Sequence, residues 1–109
     1  MKKLLIFATV LGLAAAITAR ADDTKDNWTN MCAKCHGDDG KGQTKMGQRL
    51  KVRDYTDAKV QASFKDDEAF KAIKEGLKSD EGKTEMKPYD TLSDDQIKAL
   101  VGYVRAFKQ

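Results

Sequence analysis

Cys32-Ala33-Lys34-Cys35-His36 is the stretch that decides how the rest of this 109-residue chain can fold. Two thiols separated by two residues can each add to one vinyl group of a porphyrin, and the adjacent imidazole can then bind the iron. The pentapeptide therefore predicts covalent attachment of one c-type haem through Cys32 and Cys35, with His36 as an axial ligand.

A Cys-x-x-Cys pair has three other uses: zinc binding, thioredoxin-like redox chemistry and a structural disulfide. A structural zinc site normally takes four Cys or His ligands, whereas this chain has two cysteines and one histidine. A thioredoxin-like pair should lie between a strand and a helix. Here a helical pattern precedes the pair and a Gly-rich loop follows it, so haem attachment is the preferred interpretation.

The N-terminus has the three parts of an export signal. Two lysines give the positive start, residues 4–17 form an uncharged apolar run, and Ala19-Arg20-Ala21 resembles an A-x-A cleavage site. The run is shorter than the ~20 apolar residues of a membrane span, although an uncleaved membrane anchor is the alternative. We expect residues 1–21 to be a cleaved signal peptide and the protein to be exported to the periplasm.

Cleavage after Ala21 would leave 88 residues, enough for one small domain over residues 22–109. Such a domain buries little core and often needs a covalent or metal staple, which an attached haem would supply. Three of the 20 basic residues lie in the signal, so 17 basic residues would face 17 acidic ones. This formal neutrality argues against nucleic-acid binding, which requires a dense positive field.

Apolar residues repeat at helical spacing in four segments. The first segment carries Trp28 and both cysteines on one face and continues into the haem motif. The last segment begins with a capping box formed by Ser93 and Gln96. The predicted helices cover residues 25–35, 57–64, 66–76 and 93–107, and residues 44–50 and 77–91 are predicted to be loops.

The second axial ligand is sought among the methionines, because the chain has no second histidine and a thioether suits haem iron. Met86 lies in a polar loop that contains the only proline, Pro88. Met31 lies in the first predicted helix, and Met46 follows His36 by ten residues, which favours the proximal side of the ring. Met86 is therefore the preferred ligand, with Met46 or an open position as the alternatives.

Three further residues are candidates for contact with the haem. Leu50 is expected to pack on the face of the ring. Tyr55 and Arg53 could reach the propionates with a hydroxyl and a guanidinium, although a half-buried tyrosine and a surface arginine are equally open readings. A backbone carbonyl in residues 44–50 is expected to accept the second N–H of His36.

Taken together, these motifs resemble the small class I cytochromes c of bacterial periplasm and photosynthetic lumen, over essentially all of residues 22–109. The resemblance includes the pentapeptide with its following glycines, Met86 with Pro88 and Tyr89, and the last predicted helix. It implies an all-α cytochrome c fold, with about four to five helices around one covalently attached haem c. The N- and C-terminal helices of that fold cross.

The resemblance also assigns roles to single positions. Trp28 and Tyr103 stand where the family places aromatic residues at the helix crossing. The family's methionine ligand lies 17 residues before the second aromatic residue, as Met86 does here. Members often carry a proline whose carbonyl accepts the histidine N–H, and Gln48 stands at that position.

The resemblance implies electron transfer rather than enzymatic catalysis. The expected protein is a soluble periplasmic one-electron carrier that cycles between Fe(II) and Fe(III) and binds a redox protein donor and acceptor transiently. No nucleic-acid partner and no membrane span in the mature form are expected, and a monomer is favoured. The alternatives are a haem-bearing subunit docked on a larger oxidoreductase, or a haem ligand binder or minor peroxidase with a labile distal ligand. Four lysines are candidates to surround the exposed haem edge, and the alternative is that they are ordinary solvated surface lysines. They are Lys34, Lys41, Lys45 and Lys87.

Overall fold

The computed structural model describes residues 21–109, so the expected signal peptide, residues 1–21, lies outside it except for Ala21. Within that part of the chain, five helices and one short hairpin confirm the predicted helical class. No helix of the described residues has the length and apolar character needed to span a membrane. The elements are α1 (21–36), α2 (Lys45–Leu50), α3 (Ala58–Ala62), α4 (Asp66–Glu75), β1 (Leu77–Lys78), β2 (Thr84–Met86) and α5 (Asp94–Arg105).

Helix α1 contains the haem motif at its C-terminal end and includes a π-helical turn that the sequence did not predict. In this wider turn the Ala33 N–H donates to the carbonyl of Trp28, five residues back. Gly37, at a φ of 80°, ends the helix and donates its N–H to Ala33 at 2.8 Å. The three consecutive segments of α1 are Ala21–Asn27, Trp28–Cys32 (the π segment) and Ala33–His36.

Helix α5 begins as the sequence predicts. The Ser93 hydroxyl accepts the Gln96 N–H at 3.1 Å, and the Gln96 side chain accepts the Ser93 N–H at 2.8 Å, which forms the capping box. The apolar face of α5 is buried and supplies half of the main core. The core consists of Trp28, Cys32, Ile73, Leu92, Ile97, Leu100, Val101 and Val104.

Aromatic rings join the first helix to the last. The Trp28 ring centroid lies 5.5 Å from that of Tyr103 and 5.1 Å from that of Phe107, just beyond α5. The expected aromatic contact between the terminal helices is therefore confirmed. Gly102 takes no part in a close crossing, because a Cβ built there would meet nothing within 4 Å.

Residues 44–50 are a capped helix, so the prediction of a loop there was wrong. The Thr44 hydroxyl accepts the Gly47 N–H at 2.9 Å and starts α2, and it also donates to the Cys35 carbonyl at 3.0 Å. Lys51, at a φ of 56°, ends the helix. The end of α1 thereby holds the residue that caps α2.

Part of the predicted loop 77–91 is an antiparallel hairpin. Leu77 pairs with Met86, and the turn is closed by the Ser79 N–H donating to Lys83 at 2.8 Å. Gly76, the C-cap of α4, has a φ of 76° and directs the chain into β1. The hairpin therefore sets Met86 beside the end of α4.

Candidate functional site

Cys32 and Cys35 lie one turn apart on α1, and both are free thiols. Cys32 is 7% exposed and belongs to the core, whereas Cys35 is half-buried. Burial, with a smaller effect of the neighbouring Cys35, raises the pKa of the Cys32 thiol to about 11. Because the pair forms no disulfide, both sulfurs have the chemistry that thioether bonds to a porphyrin require.

His36 is the last residue of α1, and its ring lies between two aromatic side chains. Its centroid is 5.7 Å from that of Trp28 and 5.4 Å from that of Tyr55. Burial lowers the pKa of His36, which favours the neutral imidazole that binds metals. Its Nδ1 is buried and has no hydrogen-bond partner among the described residues. A buried polar atom without a partner is costly, so the side chain fits a residue with a further ligand to bind.

The expected acceptor for the His36 N–H is not found. The Gln48 carbonyl accepts the N–H of Lys51 at 3.3 Å, and the loop after α1 bonds the backbone of the motif instead of its imidazole. The Gly42 N–H donates to the His36 carbonyl at 2.8 Å. The loop therefore fixes the end of α1 and leaves the imidazole ring without a bond from residues 44–50.

Two close contacts fix the backbone around the motif. The Trp28 indole N–H donates to the Gly37 carbonyl at 3.0 Å, which joins the core aromatic to the residue after His36. Gly47 packs directly on the motif, because a Cβ added there would overlap the Cys35 carbonyl and lie 2.5 Å from that of Gly42. These contacts determine the direction in which α1 presents the motif.

Met86 is the methionine whose surroundings agree best with the predicted distal ligand. It is half-buried at the end of β2 and packs against the core cluster that contains Cys32. Met46 is half-buried in α2 but is not among the side chains of residues 21–109 that pack on this cluster. Met31 also packs there, yet it lies within α1 itself.

Tyr89 joins the Met86 segment, residues 86–89, to two helices. Its N–H donates to the Ile73 carbonyl of α4 at 2.9 Å, and its hydroxyl donates to the Met31 carbonyl of α1 at 2.5 Å. The sequence placed Tyr89 in a family motif but gave it no contact. A hydrogen bond across 58 residues leaves no periodic signal that could have revealed it.

The three residues predicted to contact the haem lie in different surroundings. Tyr55 is half-buried, packs on the core cluster and lies edge-on to Phe64 at 5.9 Å, and burial raises its hydroxyl pKa. Leu50 is half-buried at the end of α2, and the described part of the structure does not place it in the core cluster. Arg53 donates to the Ser63 hydroxyl at 2.8 Å and lies 5.6 Å from the Phe64 ring.

Gln61 and Arg105 form a polar pair that the sequence did not predict, and Gln61 binds the backbone of Tyr55. Gln61 is buried, and its amide N–H₂ donates to the carbonyls of Tyr55 at 2.7 Å and Val104 at 2.8 Å. Arg105 donates to the Gln61 side chain at 2.9 Å and to the Phe64 carbonyl at 2.8 Å. A glutamine on the inner face of a short helix was the available signal, but two of its partners, Val104 and Arg105, lie more than 40 residues away.

The alternative uses of the cysteine pair fit this arrangement less well. Between residues 21 and 109, no three His, Cys, Asp or Glu side chains are grouped so that they could hold a metal ion. The pair lies within a helix rather than between a strand and a helix. A Cys-x-x-Cys-His motif on a helix that packs against the last helix defines the class of c-type cytochromes.

Comparison with known proteins gives the family. The sequence profile described as "Cytochrome C oxidase, cbb3-type, subunit III" matches residues 19–104. A solved structure titled "KustC0563 c-type cytochrome" is 34% identical, with 79% of this chain and 98% of the other covered and a TM-score of 0.67. A tyrosine-to-phenylalanine mutant of Kustc0563 is 36% identical, with 79% and 99% covered and a TM-score of 0.65. No curated protein sequence matches the chain.

The chain belongs to the cytochrome c family described as cbb3-type oxidase subunit III. It is a small monohaem cytochrome c with the cytochrome c fold. Membership of this class implies covalent haem c, haem-based electron transfer and redox partners.

Proposed function

We propose that this protein is an exported one-electron carrier whose single haem c is attached through Cys32 and Cys35 and ligated by His36 and Met86. One observation carries the proposal. Two free thiols lie near the end of α1 together with an imidazole whose pKa is lowered by burial and whose buried Nδ1 has no partner among the described residues. The core that contains Cys32 also receives Met86.

The residues around the motif are proposed to have separate roles in an electron carrier: ligating the iron, lining the ring and excluding water. One-electron exchange between Fe(II) and Fe(III) is the chemistry that the haem supplies when bound. His36 and Met86 would fill both axial positions and exclude substrates. Tyr55 and Leu50 are proposed to line the ring, and the aromatic cluster around Trp28 would exclude water. A site closed in this way favours electron transfer over catalysis.

The first test is a visible spectrum and a reductive titration of the mature holoprotein. We expect a c-type haem spectrum, one reversible redox transition and the far-red band of methionine-ligated ferric haem. Met86→Ala should remove that band and lower the reduction potential, because a thioether ligand raises it. Met46→Ala is the matched control and should leave both unchanged. A colourless wild-type protein would refute the proposal.

Export and the carrier role need a separate test. In a periplasmic fraction, we expect a haem-stained band with its N-terminus at Asp22 that migrates as a small monomer. Carbon monoxide should bind the reduced protein slowly, because Met86 must first leave. Rapid binding would instead favour the ligand binder or minor peroxidase.

Docking on a larger oxidoreductase is the second candidate, and the description of the matched family favours it. Permanent interfaces are larger and more apolar than transient ones. Among the described residues, Leu77 is the large hydrophobic side chain that is exposed, at 49%. A single exposed residue of this kind supports transient contacts, and for this reason we rank the carrier ahead of the docked subunit. Co-migration of the haem band with a large membrane complex in mild detergent would reverse that order.

We propose that four lysines close in sequence to the motif or to Met86 face a transient redox partner with an acidic surface. Electron exchange with such a partner should slow as salt is added, because screening weakens steering between opposite charges. Replacing any one of the four lysines with glutamate should reduce both the rate of electron exchange and the salt dependence of that rate. The lysines proposed for this role are Lys34, Lys41, Lys45 and Lys87.

A further inference from the structure

Tyr89 forms a direct bridge between the Met86 segment, residues 86–89, and the helix that carries the haem motif. Its hydroxyl donates to the Met31 carbonyl at 2.5 Å. Met31 lies in the π segment of α1, one residue before Cys32. π-helical turns occur often at functional sites, and a carbonyl has two lone pairs for acceptance. The bridge therefore ends on backbone adjacent to the attachment cysteine.

The Met86 segment is also confined from the side of α4. The Tyr89 N–H donates to the Ile73 carbonyl at 2.9 Å. A Cβ built on Gly76 would lie 2.5 Å from the Met86 carbonyl and 2.8 Å from the Pro88 nitrogen. Glycine at position 76 thus permits the segment to pack against the end of α4.

Little backbone freedom separates Tyr89 from Met86. Two residues intervene, and Pro88 has its φ fixed by its ring. Met86 is itself paired with Leu77 in the hairpin. A displacement of Tyr89 is therefore transmitted to Met86 rather than absorbed between them.

We propose that Tyr89 is a positioning residue, whose hydroxyl holds the Met86 segment against α1 and so keeps the Met86 thioether on the iron. The proposal rests on the proposed role of Met86 as the distal ligand. It differs from a purely structural role, because the hydroxyl bond is expected to break when Met86 is displaced. A bond that only stabilised the fold would be present in both states.

Tyr89→Phe in the ferric holoprotein tests the proposal, because it removes the hydroxyl and keeps the ring. Imidazole is titrated as a competitor for the Met86 position while the far-red band is followed. A typical hydrogen bond corresponds to a change of roughly fivefold in an equilibrium constant, so we expect Tyr89→Phe to bind imidazole about fivefold more tightly than wild type. Tyr103→Phe is the matched control and should bind it as wild type does, since residues 21–109 provide no hydrogen-bond partner for the Tyr103 hydroxyl.

A chemical denaturation curve for each variant separates positioning from stability. If Tyr89→Phe lowers the denaturation midpoint but leaves imidazole affinity unchanged, the hydroxyl is structural and the inference is overturned while Met86 ligation stands. A wild-type protein without the far-red band overturns the inference together with the proposed ligand.

A measurement on the wild-type protein covers the case in which Tyr89→Phe does not fold. In proton NMR, the hydrogen-bonded hydroxyl of Tyr89 should give a slowly exchanging signal. Saturating imidazole should abolish this signal or bring it into rapid exchange with water. A hydroxyl signal that persists unchanged while Met86 is displaced overturns the inference.

Discussion

At the scale of single residues, Trp28 connects the core to the candidate haem site. Its ring packs on Tyr103 and Phe107, while its indole N–H binds the carbonyl of Gly37. The sequence placed Trp28 on the same helical face as both cysteines. It could not predict the hydrogen bond, because the direction of the Gly37 carbonyl follows from a backbone with a φ of 80°.

Trp28→Phe should destabilise the holoprotein by about 2–3 kcal/mol, because it removes a buried hydrogen bond and leaves part of the indole volume empty. Guanidinium denaturation followed by far-UV circular dichroism measures the change. Tyr103→Phe keeps its ring contacts and should change stability by less than about 0.5 kcal/mol. Equal effects of the two variants would contradict the role assigned to Trp28.

The stability that the Tyr89 hydroxyl contributes should depend on pH in the alkaline range. Burial raises the pKa of Tyr89 above its ordinary value. Because the folded state binds this proton more tightly, the contribution is complete below about pH 10 and is lost as the pH rises through the raised value. Wild type should therefore exceed Tyr89→Phe by about 1 kcal/mol at neutral pH and converge with it in strong alkali. Denaturation curves at several pH values give the difference, and a constant gap would contradict this assignment.

At the scale of elements, the last helix, α5, was predictable, whereas helix α2 and the β1–β2 hairpin were not. The Ser93 capping box and the apolar stripe of α5 are local signals that the structure confirms. Helix α2 escaped prediction because it is only six residues long and contains Gly47, although its N-cap, Thr44, is a local signal that could have indicated its start. The hairpin escaped because its strands are almost entirely exposed and show no alternation of apolar and polar residues.

Two glycines in helices should respond oppositely to alanine. Gly47→Ala would force its Cβ onto the Cys35 carbonyl, so we expect a loss of more than about 3 kcal/mol and poor haem incorporation. Gly102→Ala meets open space and should stabilise α5 by up to about 1 kcal/mol, because alanine has the higher helix propensity. Thermal unfolding and haem content report both. Tolerance of alanine at Gly47 would show that α2 does not pack on the motif as described.

At the scale of the whole molecule, Arg105 connects three helices: its own helix α5, helix α3 and helix α4. It binds the Gln61 side chain of α3, the Phe64 carbonyl and the Asp66 carboxylate of α4. The sequence predicted four of the five helices described between residues 21 and 109, together with their apolar faces. It could not predict this assembly, because each of its contacts joins positions about 40 residues apart and follows only from the packed fold.

Arg105→Met should destabilise the protein by about 2–3 kcal/mol, because it leaves the Gln61 side chain and the Phe64 carbonyl without their donor. Asp66→Asn breaks only the exposed end of the same network, where the carboxylate side chain is 72% exposed, and should cost less than about 1 kcal/mol. Urea denaturation measures both variants. A larger loss for Asp66→Asn would place the stabilisation in the ion pair instead.

The π-helical turn at Trp28–Cys32 has a consequence for how the chain tolerates changes in length. One wide turn accommodates an additional residue between the part of α1 that meets the last helix and the part that carries the cysteines. Deleting an exposed residue there, Thr29 or Asn30, can convert the wide turn to an ordinary one. A deletion between Cys32 and Cys35 would instead change the spacing of the two thiols. The bulge is therefore a place between Trp28 and the cysteines where a codon could be lost with the two thiols still facing inward.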